Sequence, residues 1–279
     1  MEWFFNQNMK EKLIKISRIF YAVALLVYGI QQFIYADFRN VFFPAWQSKL
    51  ILLPFWAIIF GILLIIAGAA IIFEKRAREA LLILGGIFLA LFCFIHIPYE
   101  LIADPYVWHL GVWGNALKEL ALAGGAFIVS RTFADDVNLA QKKSIAAKVL
   151  EKITYSGEIF FSITMVSFGI CHFLYIEQIS KIVPDWIPDH LSWTYFAGVA
   201  LIGSGTAIIL SIRKRTIASL LGLMILLWFV LIHVPGALAD PYVERGNLVS
   251  SAFDALAFSG TAFLIALTRE STGNTDQLN

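Results

Sequence analysis

Charged residues are scarce in this sequence, at 15% of 279 residues, whereas apolar residues make up 59% and the mean hydropathy is +0.76. A water-soluble domain carries about a quarter charged residues, so most of this surface does not face water. The formal net charge is only +1, and a nucleic-acid-binding surface needs a clear basic excess. The composition argues against a nucleic-acid partner and favours the lipid bilayer as the main partner.

Cysteine is also scarce, since the chain contains only Cys93 and Cys171, and both lie inside apolar runs. The sequence has no CxxC pair, no zinc-ligand spacing and no CxxCH haem-attachment motif, so we expect neither a disulfide scaffold nor a metal site. Phosphate-binding loops, nucleophile triads and dinucleotide-binding glycine motifs are absent as well. We interpret the two cysteines as small apolar fillers, with a redox-active pair as the alternative.

Long apolar runs, by contrast, are abundant, and eight of them approach the roughly 20 residues with which a helix crosses a bilayer. They lie near 14–35, 51–73, 80–98, 113–131, 157–176, 192–212, 216–235 and 249–268. Period-two alternation, which is typical of transmembrane strands, is absent. The sequence therefore predicts an all-α, polytopic membrane protein with eight transmembrane helices.

Lysine and arginine are unevenly distributed between the connecting segments, because 16 of the 21 fall on the side that holds both termini. The loops on the opposite side carry acidic residues instead, among them Asp37, Glu100 and Asp240. Cytoplasmic loops are enriched in Lys and Arg. We therefore expect a multi-pass protein of the cell inner (plasma) membrane with both termini in the cytoplasm, and an interfacial N-terminus rather than a cleaved signal peptide.

The chain repeats itself at a sequence offset between 136 and 140: "YGIQQF" at 28–33 matches "FGICHF" at 168–173, and "ADPYV" at 103–107 recurs at 239–243. Each repeat holds an even number of helices, so both must insert in the same direction. We expect two parallel four-helix bundles, side by side, from an internal duplication. The predicted divisions are an interfacial N-terminus, a first repeat, a cytoplasmic linker, a second repeat and a cytoplasmic tail, at 1–13, 14–131, 132–156, 157–268 and 269–279.

A proline follows a histidine in the third helix of each repeat, at Pro98 and Pro235. Because proline disrupts a helix, we expect both helices to end there, where they leave the membrane. The Asp-Pro pairs at 104–105 and 240–241 then predict a capped, short interfacial helix. A structural corner is our preferred interpretation of the repeated ADPYV string.

Histidines at the same predicted depth are the main candidates for a functional site. His96, His172 and His233 lie about one turn inside the outer ends of their helices. Placing a titratable side chain at that depth of a membrane is energetically costly, so its presence there suggests a function. We expect His172 and His233 to lie in one bundle with Asp254, and Tyr242 at the adjacent interface. In the first half Gln32, His96, Lys118 and Glu119 occupy the corresponding region. The alternative is that each histidine simply hydrogen-bonds to a neighbouring helix.

A quinone head group is the cofactor that this set of residues would suit best, because it needs one or two donors in an apolar slot near an interface. A haem is not supported, because the sequence has no second pair of histidines. Zinc is not supported either, because it would need three or four closely spaced ligands. The catalytic residues, if the chain has any, are not identified by the sequence.

The four-helix unit, "FGICHF" and the last helices "KELALAGGAF" (118–127) and "DALAFSGTAF" (254–263) together resemble the DoxX-like family of small membrane proteins, here doubled. The resemblance covers 14–131 and 157–268. It implies a redox role at the membrane, as in subunits of a thiosulfate:quinone oxidoreductase and partners in oxidative-stress complexes. Gln32 stands where the second half has His172, which weakens any site in the first half.

Three functions remain open at the level of sequence. The first is a quinone- or thiol-linked membrane subunit that works with other redox proteins. The second is a non-catalytic scaffold for membrane proteins. The third is a small-solute transporter, which is disfavoured because the charges Lys118, Glu119 and Asp254 enter the helices only from one end.

Overall fold

The computed structural model describes residues 7–44, 50–103, 105–134 and 145–268, and within these ranges the chain forms helices and no strand. The all-α prediction is therefore confirmed for this part of the chain. The eight long helices, α1 to α8, are Gln7–Tyr35, Leu53–Ile72, Ala77–Leu91, Gly114–Ser130, Gly157–Leu174, His190–Ile209, Lys214–Trp228 and Asn247–Leu267.

Shorter turns extend several of these helices. α3 continues through two π-helical turns, and α7 through one π-helical turn and a short α-helix; α5 is preceded by a short α-helix and a 3-10 turn. These extensions are Phe92–His96, Tyr99–Ala103, Phe229–His233, Val234–Ala239, Ile145–Ile153 and Thr154–Ser156. The connections contain the short elements Leu110–Trp113, Ile176–Ile179, Ser180–Ile182 and Val243–Arg245.

Seven helical stretches in the described ranges are long and apolar enough to cross a bilayer, which indicates a multi-pass membrane protein. They are Gln7–Tyr35, Leu53–Ile72, Ala77–Ala103, Lys148–Leu174, His190–Ile209, Lys214–Ala239 and Val243–Leu267. α4, which has 17 residues and carries Lys118 and Glu119, is not among them. Every side chain of α4 from Glu119 to Ser130 is buried, so this helix is wrapped by other helices rather than facing lipid.

The eight helices close into a ring. Each helix packs against the next one in its half, α4 continues onto α5, and α1 closes the ring against α8. α4 and α8 also pack against each other across the middle, which explains why these two helices are the most buried. The ring does not confirm the expected pair of four-helix bundles lying side by side, because the first helix of each half packs extensively on the last helix of the other half.

Glycines permit backbone contact between the first two helices of each half. A Cβ atom on Gly29 would lie 2.8 Å from the carbonyl oxygen of Gly61, and one on Gly169 would lie 2.7 Å from that of Gly198. The two contacts are equivalent, since Gly169 matches Gly29 at the offset of 140 and Gly198 matches Gly61 at an offset of 137. Small residues at such contacts are typical of helix packing in membranes.

The contacts between the halves are equivalent in the same way. A Cβ atom on Gly124 in α4 would lie 2.5 Å from the carbonyl oxygen of Gly157 in α5, and one on Gly260 in α8 would lie 2.6 Å from that of Ser17 in α1. In the last helices Gly260 matches Gly124 at an offset of 136, and in the first helices Gly157 matches Ser17 at an offset of 140. Both halves therefore use the same positions to contact their own helices and each other.

Ion pairs and ring contacts define two ends of the molecule. At the basic end, Lys214 Nζ lies 2.8 Å from Glu158 Oε2, and Arg78 Nη2 lies 3.1 Å from Glu151 Oε1. At the opposite end, the His109 and Tyr175 rings stack with their centroids 4.2 Å apart. Three connections therefore lie at the basic end, namely α2–α3, α4–α5 and α6–α7, and the other connections lie at the opposite end.

Parts of the predicted divisions lie outside the described residues. These parts are 1–6 of the interfacial N-terminus, 45–49 and Asp104 of the first repeat, 135–144 of the linker and the tail at 269–279. The rest of the N-terminal division, from Gln7, is already helical as the start of α1.

We predict that Gly124→Ala destabilises the protein by about 1–3 kcal/mol, because the added methyl group must push α4 away from the α5 backbone. Gly260→Ala should have the same effect at the α8–α1 contact. Gly203→Ala is the control, since no atom lies within 4 Å of its added Cβ, and alanine favours a helix over glycine. Thermal unfolding in detergent measures all three; equal stability of Gly124→Ala and Gly203→Ala would contradict the close contact.

Candidate functional site

Each candidate histidine on the third helix of a half is the last residue of a π-helical turn, His96 in Phe92–His96 and His233 in Phe229–His233. The prolines two positions later do not end the helices, as the sequence suggested. α3 continues through its extension past Pro98 to Ala103, and α7 continues past Pro235 to Ala239. A π-turn widens the hydrogen-bond ladder, so a proline without an N–H can be accommodated inside the helix.

The second ADPYV copy behaves as the sequence suggested at one position, since Asp240 Oδ1 accepts a hydrogen bond of 3.2 Å from the Val243 N–H. The chain then forms a single 3-10 turn, Val243–Arg245, rather than a longer interfacial helix. The Tyr242 side chain is 77% exposed. The structure therefore does not bring Tyr242 into the buried group with the histidines.

An ion pair joins the two central helices. Lys118 Nζ on α4 lies 2.9 Å from Asp254 Oδ2 on α8, and the Tyr28 hydroxyl on α1 donates a hydrogen bond to Asp254 Oδ1. The Asp254 side chain is only 4% exposed and that of Lys118 is 23% exposed. His233 lies within electrostatic range of both charges. His233 thus interacts electrostatically with Asp254, whereas Lys118 and Tyr28 contact the Asp254 carboxylate directly.

A polar cavity of about 330 Å³ leads to this ion pair from the end opposite the basic end. Its lining includes Lys118, Asp254 and Ser250, and at its mouth Arg245 pairs with Asp37. Arg39 donates to the Arg245 carbonyl oxygen, so the loop after α1 is fastened to the segment before α8. Burial lowers the pKa of Arg39, and the Asp37 carboxylate opposes that shift.

In the first half, His96 is fully buried against Glu119. His96 Nε2 lies 3.3 Å from Glu119 Oε2 and 3.2 Å from the Val41 carbonyl oxygen. A carbonyl oxygen only accepts, so this nitrogen carries the hydrogen. Neither carboxylate oxygen of Glu119 has a hydrogen-bond partner within the part of the chain that the structure describes, and His96 Nδ1 has none either. This pair is enclosed and is separated from solvent by the loop that contains Val41.

His172 is placed differently from the other histidines. Its Nδ1 lies 2.8 Å from the Phe168 carbonyl oxygen, one turn earlier in the same helix, and its ring stacks on Trp228 of α7 with centroids 6.3 Å apart. Its counterpart Gln32 is fully buried, and neither amide atom of Gln32 has a hydrogen-bond partner among the described residues. His172 therefore lies at the α5–α7 contact and not on the Lys118–Asp254 pair.

The two cysteines are both free thiols, with Cys93 exposed and Cys171 half-buried. Among the residues that the structure covers, no group of three or more His, Cys, Asp and Glu side chains is arranged to hold a metal ion.

Tyr28 is the site residue that sequence reasoning missed. Its only signal was that "YGIQQF" has tyrosine where the matching "FGICHF" has phenylalanine, so one half carries a hydroxyl that the other lacks. The contact of the Val41 carbonyl oxygen could not be predicted from the sequence, because every residue has a backbone carbonyl group.

Comparison with known proteins assigns no function to this site. A family model described as a domain of unknown function (DUF8561) matches residues 161–249, from α5 into the start of α8. The match includes His172, His233 and Tyr242 but not Asp254, and it covers less than half of the 279 residues. No curated protein and no solved structure matches the chain.

We predict that Lys118→Ala and Asp254→Ala each lower the free energy of unfolding by about 3 kcal/mol, because either change leaves a buried charge unpaired. The exchanged double variant, Lys118→Asp with Asp254→Lys, should recover most of this loss, since it restores an ion pair at the same contact. Tyr28→Phe, which removes one hydrogen bond, should cost about 1 kcal/mol. Unfolding in detergent measures each variant; an exchanged variant no more stable than the single ones would show that the pair does not join α4 and α8.

Proposed function

We propose that the chain is an eight-span membrane protein built from two duplicated halves, with α4 as the eighth span. α4 has 17 residues, which is about 25 Å of helix, and a span enclosed by other helices need not be apolar along its whole length. The equivalent glycine contacts, at sequence offsets between 136 and 140, support the duplication. Two halves with four spans each would insert in the same direction.

The proposed orientation puts the basic end in the cytoplasm and both termini with it, in the cell inner (plasma) membrane. It rests on the 16 of 21 lysines and arginines that fall on that side. The polar cavity and the ion pair would then face the outside of the cell.

We predict that a single cysteine at Tyr242 reacts with a membrane-impermeant maleimide in intact cells, whereas one at Ser211, in the α6–α7 turn, reacts only after permeabilisation. Both variants carry Cys93→Ala and Cys171→Ala so that no native thiol contributes. Labelling of both positions in intact cells, or the reverse pattern, would contradict the orientation.

For the activity, we propose that the protein binds the head group of a membrane quinone near its outer face and serves as a redox-associated membrane subunit. The observation that carries this proposal is the Lys118–Asp254 pair with the Tyr28 hydroxyl, buried within the spans beside His233. A quinone carbonyl can accept from Lys118 or histidine, and a quinol hydroxyl can donate to the carboxylate. The resemblance to DoxX-like proteins, several of which act beside quinones or thiols, points in the same direction.

A scaffold for other membrane proteins is the second candidate. It is favoured by the fact that Lys118, Asp254 and Tyr28 satisfy one another without a ligand. Such a group could serve only to hold α1, α4 and α8 together. Transport is less well supported, because the charged residues lie near one end of the spans.

We predict that the protein purified from quinone-containing membranes retains close to one quinone per chain, measured in its lipid extract. Asp254→Asn should retain less, because the carboxylate that would accept from a quinol hydroxyl is replaced by an uncharged amide. Tyr242→Phe is the control, since this exposed side chain lies outside the buried group. Absence of quinone from the native protein, together with no uptake of added decylubiquinone, would favour the scaffold.

A further inference from the structure

The basic end of the first half contains a second cavity, of about 400 Å³, which we call the basic cavity. It lies between α1, the α2–α3 turn, the start of α3 and the residues that follow α4. The charged residues of its lining are Arg18, Arg76, Arg78, Glu74 and Glu79. This cavity shares no lining residue with the polar cavity at the opposite end.

Arg18 is held in one orientation at this cavity. Its Nε donates a hydrogen bond of 2.7 Å to Thr132 Oγ1, and its Nη2 donates to the Thr132 carbonyl oxygen. The guanidinium group also lies over the Phe133 ring, with 3.9 Å between Cζ and the ring centroid. These hydrogen bonds use the Nε–Nη2 edge of the group. The Nη1–Nη2 edge makes no hydrogen bond within the described ranges, and its N–H groups form a fork that matches two oxygens of a phosphate group.

Two of the lining charges are already neutralised by residues outside the lining. Glu74 Oε1 lies 3.4 Å from Lys15 Nζ. Arg78 Nη2 lies 3.1 Å from Glu151 Oε1. Arg18 has Glu74 within electrostatic range, but no carboxylate of the described residues lies within ion-pair distance of it. Two arginines and one glutamate of the lining remain, so the basic cavity keeps an excess of positive charge.

The second half has a carboxylate of its own at the place that corresponds to Arg18. Arg18 matches Glu158 at the offset of 140 that relates α1 to α5. Glu158 Oε2 lies 2.8 Å from Lys214 Nζ, and Glu158 Oε1 lies 3.7 Å from Arg131 Nη1. In the first half an arginine thus stands where the second half has the acid that binds two basic side chains. An anion from outside the chain can take the role that Glu158 has in the second half.

We propose that the basic cavity binds a phosphate group, with two of its oxygens on the Nη1–Nη2 edge of Arg18 and with Arg76 as a second positive charge. The phosphate belongs either to an anionic phospholipid or to a soluble phosphate compound, and the chemistry of recognition is the same for both. In the proposed orientation this end lies at the cytoplasmic leaflet, whose anionic lipids attract basic residues. The site is independent of the proposed quinone site, which lies at the opposite end.

The test is thermal unfolding of the full-length protein in an uncharged detergent. Inorganic phosphate is compared with chloride at equal ionic strength, and micelles with phosphatidylglycerol are compared with micelles with phosphatidylcholine. A saturating ligand should raise the melting temperature of the native protein by about 2–4 °C. Because phosphate also stabilises folded proteins in general, the readout is the rise in the native protein minus the rise in each variant.

Arg18→Gln should abolish the rise, because glutamine keeps a polar group near Thr132 but has neither the charge nor the fork. Arg76→Gln changes an exposed side chain and should reduce the rise, which provides a test even if Arg18→Gln folds poorly. Arg213→Gln is the matched control and should retain the full rise. Arg213 is the counterpart of Arg76 at an offset of 137, is also exposed and has the same positive φ, but it does not line the cavity.

The two ligands distinguish the sources of the phosphate group. A rise with phosphatidylglycerol alone would identify a lipid head group, a rise with inorganic phosphate alone would identify a soluble compound, and a rise with both would show that the phosphate group is sufficient. No rise with either ligand, or an equal rise in the native protein and both cavity variants, would overturn the proposal. None of these results changes the expected quinone content.

Discussion

Close backbone contact between helices is the constraint on which the rest of this structure depends. Apolar helices gain little from burying their surfaces against one another in lipid, so van der Waals contact must hold them together. Gly124 against Gly157 and Gly260 against Ser17 bring the last helix of each half onto the first helix of the other. These contacts close the ring and enclose α4 and α8. Only in that enclosed position are Lys118 and Asp254 tolerable, because a charge facing lipid would be far more costly.

The sequence predicted the helices well and their connections poorly. Apolar runs and the Lys/Arg distribution depend on local composition, and each run overlaps one of α1 to α8, with the runs at 80–98 and 216–235 continuing into the turns that extend α3 and α7. The ring could not be predicted, because the α1–α8 contact joins opposite ends of the chain. The prediction that Pro98 and Pro235 end their helices was wrong for a local reason. The rule that proline ends a helix assumes α-helical hydrogen bonding, but both helices change to π-helical turns just before the proline. Among the site residues, His233 lies within electrostatic range of Asp254, whereas Tyr242 is exposed and Tyr28 bonds to Asp254 instead.

The differences between the halves matter more for the candidate site than their similarity. Both halves place a histidine at the end of a π-helical turn, but only the first covers it with a buried loop and pairs it with a glutamate. Ala255 stands where the first half has Glu119, and Ile182 where it has Phe42. The first half thus encloses Gln32, His96 and Glu119 completely, while the second leaves a half-buried histidine within electrostatic range of an ion pair.

Lys118 and Asp254 occupy matching positions in the two halves, since they are related by the offset of 136 and lie on the equivalent helices α4 and α8. In a symmetric dimer of two identical four-helix chains, this position would meet its own copy across the axis, and any charge there would face a like charge. Fusion into one chain removes that restriction and allows opposite signs at the centre. A chain assembled from two first halves would bring two lysines together, and one assembled from two second halves would bring two aspartates together. If the chain arose by the proposed duplication, its two halves are thus no longer interchangeable, because only one half of each kind provides the central charge pair.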